Sequence, residues 1–174
     1  MDIRIAGITK ESVVDGPGIR LVIFGQGCPH QCEGCHNPQT HDPDAGILMD
    51  TNEIISIIGQ AKLIRGVTLS GGEPFMQASP FSLLAEASRA RGYNVVTYTG
   101  FSFEELVGMS LTKPGVRRLL VNTDILIDGQ YIAAQRDLRL AFRGSRNQRL
   151  IDVQRSLTMG RAVLWQQTMQ ASNW

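Results

Sequence analysis

Three cysteines, Cys28, Cys32 and Cys35, fall within eight residues and are the only thiols in the 174-residue chain. Thiolates gathered this closely point to a soft metal or an iron–sulfur centre. A closed tetrahedral zinc site takes four ligands, usually as two separated pairs. A cubane held by protein alone takes four thiolates. Three on one loop, spaced C-x3-C-x2-C, suit a cluster in which one iron keeps an open position for a small molecule. Two other readings stand beside this one. The thiols could bind zinc with His30, His36 or His41, or could bind nothing. A disulfide is disfavoured by the odd count and by a start, Met1-Asp2-Ile3-Arg4, without the apolar core of a secretory signal.

Elements able to position that loop are readable on either side of it. Apolar alternation predicts a strand over Ile3–Ile8, and the β-branched run Ile19–Phe24 predicts a buried one feeding the cysteines. Asp15-Gly16-Pro17-Gly18 between them is turn chemistry. Residues 25–46 form a long loop, which inside a compact domain is functional or disordered; a bound cluster would supply its missing core. Asp50 to Glu53 reads as a capping box opening a helix that ends near 59–62. Strands are expected at 66–70, 93–98 and 124–127. Helices are expected from Ser79-Pro80 to Gly92, from Ser102, and from Pro114. Residues 138–142 and 149–153 are expected to pair as a terminal hairpin.

Strand and helix alternating at this spacing imply right-handed crossovers and a mostly parallel sheet. An eightfold barrel typically needs ~200 residues or more. The expected architecture is therefore α/β, a single domain over residues 1–174 forming an incomplete (β/α) barrel, or half-barrel. Ligands of such sheets gather at the C-terminal strand ends. The cysteines, Gly71-Gly72-Glu73, Thr99-Gly100 and Asp128-Gly129 each follow a predicted strand, so one mouth should hold them all.

Composition excludes little but does exclude something. With 43% apolar and 19% charged residues and a net charge of +1, the chain reads as an ordinary globule, not a disordered one. No apolar run approaches the ~20 residues of a membrane span, so no membrane partner is expected, and reduced cysteines suit the cytoplasm. Seven arginines against two aspartates between Arg136 and Arg161 mark either a solvated face or a surface for an acidic partner or cofactor carboxylate. Interleaved aromatics and a groove-reading helix, the marks of a nucleic-acid site, are missing, so no nucleic-acid partner is expected.

Cys28-x3-Cys32-x2-Cys35, with Asp15-Gly16-Pro17-Gly18 upstream and Ser70-Gly71-Gly72-Glu73-Pro74 downstream, resembles the radical S-adenosylmethionine (SAM) superfamily. Gly34-Cys35-His36-Asn37-Pro38 and the run Arg143-Gly144-Ser145-Arg146-Asn147-Gln148 narrow the likeness to activating proteins of glycyl radical enzymes, above all those of anaerobic ribonucleotide reductase. The resemblance spans roughly residues 3–155. It implies the radical SAM form of the half-barrel and a 4Fe-4S cluster on Cys28, Cys32 and Cys35, with SAM on the fourth iron. It also implies reductive cleavage of SAM to methionine and a 5′-deoxyadenosyl radical, transfer of the radical to a glycine of the reductase, and a reduced flavodoxin or ferredoxin-type electron donor. Gly71, Gly72 and Glu73 match the element that meets the amino group of SAM, and Asp128 matches a position close to it. Asn147, with Ser145 and Gln148, lies in a signature whose role could be SAM contact, partner docking or fold closure.

Two departures bear on this. Many superfamily members carry an adenine-shielding aromatic before the third cysteine, where this chain has Gly34; the reductase activators share that glycine. Thr97 stands where some activators have an acid, which removes any cation site depending on it. The three histidines are expected to support the loop, and Trp165 and Trp174 to pack or meet a partner. Two rival functions remain at this stage: a compact radical SAM enzyme with its own small substrate, like the 7-carboxy-7-deazaguanine synthases, and a non-catalytic iron–sulfur or zinc module.

Overall fold

A computed structural model describes residues 1–166; the expectation for Trp174 lies outside them. In chain order the elements are β1 (Asp2–Ser12), β2 (Arg20–Gly25), β3 (Ile47–Asp50), α1 (Thr51–Gln60), β4 (Gly66–Gly71), α2 (Ala78–Ala90), β5 (Asn94–Tyr98), α3 (Phe103–Ser110), α4 (Pro114–Val121), β6 (Ile125–Asp128), β7 (Arg149–Asp152) and α5 (Val153–Met159). The strands form one mixed sheet in the order β3-β1-β2-β4-β5-β6-β7. Its centre, β2-β4-β5-β6, is parallel. Antiparallel strands flank it, β1 and β3 on one side and β7 on the other.

The α/β alternation and the parallel centre are as expected. The expected terminal hairpin is not. Residues 138–142 form no strand, and β7 pairs with β6 instead. Strand β3, just after the expected loop, was not anticipated, because Ile47-Leu48-Met49 lies on a sheet edge with its first two side chains exposed and shows no buried pattern. Helix α2 begins at Ala78 with Gln77 as an N-cap that makes no side-chain capping bond, not at Ser79. The preceding 3-10 turn, Pro74–Gln77, already bends the chain into it. The capping box at Ser102 is formed in full, whereas at α1 Asp50 caps through the Asn52 N–H.

Successive side chains of a strand face opposite sides, and here the two faces differ in kind. Leu21, Ile23, Val67, Leu69, Val95 and Leu126 point into the main core, which the helices cover with Ile54, Ile58, Phe81, Leu84, Leu106 and Leu119. The opposite face carries a smaller apolar cluster of Val96, Ile125 and Ile127, onto which Tyr98, Phe142, Leu150 and Trp165 pack. Beside it lies a fully buried Arg20. Its guanidinium donates to Thr68 Oγ1 (2.6 Å), Pro17 O (3.0 Å), Asn94 Oδ1 (2.8 Å) and Val67 O (2.8 Å). These bonds fasten the Asp15–Gly18 turn against the sheet, with Thr68 Oγ1 donating in turn to Asp15 O. Burial lowers the Arg20 pKa to about 10, opposed by Tyr98, Asp124 and Asp15, so it stays charged at neutral pH.

Replacing Arg20 with Met removes the donor to four carbonyl oxygens, those of Pro17, Val67 and the Asn94 backbone and side chain, and nearly keeps the volume. Buried acceptors left unsatisfied cost about 1–3 kcal/mol each, so Arg20→Met should lose about 3 kcal/mol or more of unfolding free energy in urea titration.

Candidate iron–sulfur site

The C-terminal ends of the four parallel strands meet at one edge of the sheet, and the loops leaving them enclose a cavity of about 600 Å³. Cys28, Cys32 and Cys35 line it, as do Gly71, Gly72, Thr99, Gly100, Gly129 and Gln130. The mouth predicted from strand-end positions is therefore present. All three cysteines are free and half-buried. Among the described residues no three His, Cys, Asp or Glu side chains converge on a single ion; the thiols are spread along the cavity wall, and a cubane takes each thiolate at a different iron.

Polar bonds give the 25–46 loop the order expected from a bound cluster. The buried Gln26 side-chain amide donates to Gln39 O (3.0 Å) and Asp42 O (2.6 Å), and the Gln26 backbone carbonyl accepts from Gln77 Nε2. Gly27 N–H and Cys28 N–H donate to Thr40 O and His41 O. Burial pushes the Cys28 thiol up, countered in part by the His30 N–H, while Glu73 and Cys32 add to the rise. A metal reverses that preference because it binds the thiolate.

Gly71 is in the cavity wall with φ +98°, and a Cβ built there would lie 2.5 Å from the backbone of Gly25. Only glycine fits that conformation and approach. Glu73 follows it but does not line the cavity. Its carboxylate is 1% exposed and accepts from Phe75 N–H, Thr99 Oγ1, Gly100 N–H and His30 Nε2, all at 2.8–3.0 Å. Asp128, also 1% exposed, is again absent from the cavity wall. It accepts from Phe103 N–H at the start of α3 (2.8 Å) and from Arg149 Nε (3.0 Å), and so ties α3 and β7 to the end of β6.

The run Arg143–Gln148 closes the fold and supplies wall at once. Gln148 Oε1 accepts from Gly144 N–H and Ser145 N–H while its amide donates to Gly129 O. The buried Ser145 hydroxyl accepts from Ile132 N–H. Arg143, Gly144 and Gln148 line the cavity, and Asn147 stands just outside, donating to Gln130 O (2.7 Å). Asn147 Oδ1, Arg143 Nε and His41 Nε2 are buried with no hydrogen-bond partner among the described residues. Buried polar atoms are almost always satisfied, so these three are suited to a ligand.

Sequence reasoning missed Tyr131, which lines the cavity 3.5 Å from where a Cβ of Gly34 would be and packs on His36 with ring centroids 5.0 Å apart. It puts an aromatic ring beside the residue where an aromatic was missing. No local signal marks it, since it comes from the loop after β6. It also missed the engagement of His30, whose two ring nitrogens meet Glu73 and Gln130; that occupancy removes His30 from any zinc ligand set.

A family model described as a 4Fe-4S single cluster domain matches residues 14–151. The site thus belongs to a single-cluster iron–sulfur domain. Curated relatives named anaerobic ribonucleoside-triphosphate reductase-activating protein include that of Haemophilus influenzae, 34% identical over 78% of this chain and 89% of the relative. That of Enterobacteria phage T4 is 34% identical over 79% of this chain and 86% of its own, and that of Escherichia coli is 29% identical over 78% and 90%. The chain belongs to this family of anaerobic ribonucleoside-triphosphate reductase-activating proteins.

Two measurements probe these assignments. Cys28→Ala, Cys32→Ala and Cys35→Ala should each lose most of the iron bound after anaerobic reconstitution, whereas His36→Ala should retain it. Arg149→Met strands the Asp128 carboxylate and should cost about 3 kcal/mol in urea unfolding. The Arg149 hydrogen bond also holds Glu104 below its ordinary value. A carboxylate depressed in this way contributes stability above its unfolded range and loses it as pH falls through its folded value. Wild type should therefore lose stability on acidification more steeply than Arg149→Met.

Proposed function

We propose that this chain is a radical SAM activase of the half-barrel type, one domain throughout, that installs a glycyl radical on an anaerobic ribonucleotide reductase. What carries the reading is the meeting of three otherwise unligated cysteines with Gly71, Gly72 and Gly129 in one cavity at the ends of parallel strands. Cys28, Cys32 and Cys35 would hold three irons of a 4Fe-4S cluster. When bound, such a cluster would supply one-electron reduction of the sulfonium of SAM, the C–S bond breaking to leave methionine and a carbon radical able to take a hydrogen atom from the partner's glycine.

The protein's own work is binding, orientation and exclusion of water. Gly71 and Gly72 bring backbone, not side chains, to the cavity wall, where the amino group of SAM would find carbonyl acceptors. Arg143 Nε would donate to the carboxylate of SAM, and Asn147 Oδ1, buried just outside the wall, would accept from an N–H or O–H of the ligand, satisfying atoms that the protein leaves unpaired. Tyr131 would cover the adenine beside Gly34.

A protein substrate is supported by the rim. Val14 and Leu138 line the cavity yet are 70% and 82% exposed, so apolar surface at the mouth faces water. Exposed apolar surface of this kind marks interaction sites, and a partner segment lying across it would seal the opening. The electron donor would be a reduced flavodoxin or ferredoxin-type protein, and the setting the reducing cytoplasm; no helix of the described residues is long and apolar enough to cross a membrane.

Reconstituted chain given reductant and SAM under anaerobic conditions should release 5′-deoxyadenosine and methionine. With the reductase present it should also produce a glycyl radical doublet in electron paramagnetic resonance (EPR) spectra of the partner. Cleavage without radical transfer would favour a small-molecule substrate, and no cleavage would favour a non-catalytic module.

A further inference from the structure

We propose that His30 is a positioning residue for the cysteine loop, locked in place by Glu73, and that Glu73 serves the site through this histidine instead of meeting a ligand itself. An ionised carboxylate offers about four lone-pair positions. In Glu73, Oε1 accepts from Phe75 N–H (3.0 Å) and Thr99 Oγ1 (2.9 Å), and Oε2 from Gly100 N–H (2.8 Å) and His30 Nε2 (3.0 Å). That fills the group, and no face of it reaches the cavity. An ammonium group entering the cavity would find no free acceptor on Glu73.

His30 is held on every side. Its Nδ1 lies 3.1 Å from Gln130 Nε2, which makes it an acceptor while Nε2 donates to Glu73. Its ring meets Phe101 edge-on at 4.6 Å. The fourth contact is with Gly100, where an added Cβ would fall 2.3 Å from the ring; the ring occupies the space that a side chain would take. One residue of the loop is thereby bolted to the segments that follow β4, β5 and β6.

Its place in the sequence gives that bolt its use. His30 is two residues from Cys28 and two from Cys32, and the intervening Gln31 has φ 46°. A non-glycine residue in the left-handed region is uncommon and persists where its surroundings enforce it. Anchoring His30 fixes the separation and direction of the first two thiols before any metal arrives, as supporting bonds do for metal ligands elsewhere.

The test compares wild type with His30→Ala, Glu73→Gln, the double variant and His30→Gln. It rests on the cluster reading above only for its second readout. The first uses the cluster-free, reduced chain. Iodoacetamide should alkylate Cys28 and Cys32 about tenfold faster in either single variant, and no faster in the double, since one linkage is broken in each. The second is the EPR spectrum of the reconstituted, reduced cluster, which should change in the same way in both singles and return toward wild type in His30→Gln, whose amide can still donate. Circular dichroism checks folding. If Glu73→Gln does not fold, Gly100→Ala, which drives a methyl group into the ring, should reproduce the His30→Ala rates and spectrum. Additive effects, unchanged alkylation in His30→Ala, or a Glu73→Gln variant with wild-type rates and spectrum but weaker SAM binding in equilibrium dialysis would each overturn the proposal. A wild type that takes up no cluster would sink the activase reading instead, and the alkylation rates would still decide this one.

Discussion

Parallel pairing of β2, β4, β5 and β6 is the constraint on which the rest of the structure depends. Parallel neighbours cannot be joined by tight turns, so each strand must be followed by a crossover that returns the chain to the same starting edge. The four segments that leave the strands are consequently delivered to one place. Residues separated by 100 positions, such as His30 and Gln130, become hydrogen-bonding neighbours there. Helices occupy one face of the sheet and bury its apolar side. The other face receives the Asp15–Gly18 turn on Arg20 and the strap of residues 136–148, whose Phe142 packs on the cluster of Val96, Ile125 and Ile127.

How far the sequence disclosed this varies with the physics involved. The central strands were legible because burial on both faces writes continuous apolar runs such as Leu21-Val22-Ile23 and Val95-Val96. The cavity followed from placing the motifs at strand ends. The cysteine spacing was specific by itself. Edge strand β3 was not legible, since Ile47 and Leu48 are exposed and nothing local distinguishes such a segment from loop. The supposed hairpin failed for a related reason: apolar residues at 138, 140 and 142 alternate like a strand, but they line a cavity instead of pairing.

The acidic positions show the limit of motif matching most clearly. Glu73 and Asp128 are where the resemblance placed them in the chain, yet both carboxylates are buried outside the cavity wall and engaged by backbone and side-chain donors. A motif fixes residue types and their spacing. Which way a carboxylate faces is decided by donors that arrive from distant segments, here Gly100, Phe103 and Arg149, and none of those can be paired with it by inspection of the sequence. The wall itself is made in part by Gly71 and Gly72, which the motif supplied, and by the ring of Tyr131, which it did not.

Glu73 binds the glycine turn after β4, the start of the segment after β5 and the cysteine loop into a single rigid piece. Rigid joints transmit in both directions. Whatever settles the thiols into their final arrangement also settles the Gly71-Gly72 backbone, and whatever docks on that backbone steadies the thiols. By thermodynamic reciprocity, on the reading proposed above, metal occupancy and nucleoside affinity would then rise together through this joint as well as through the iron that the nucleoside would touch directly.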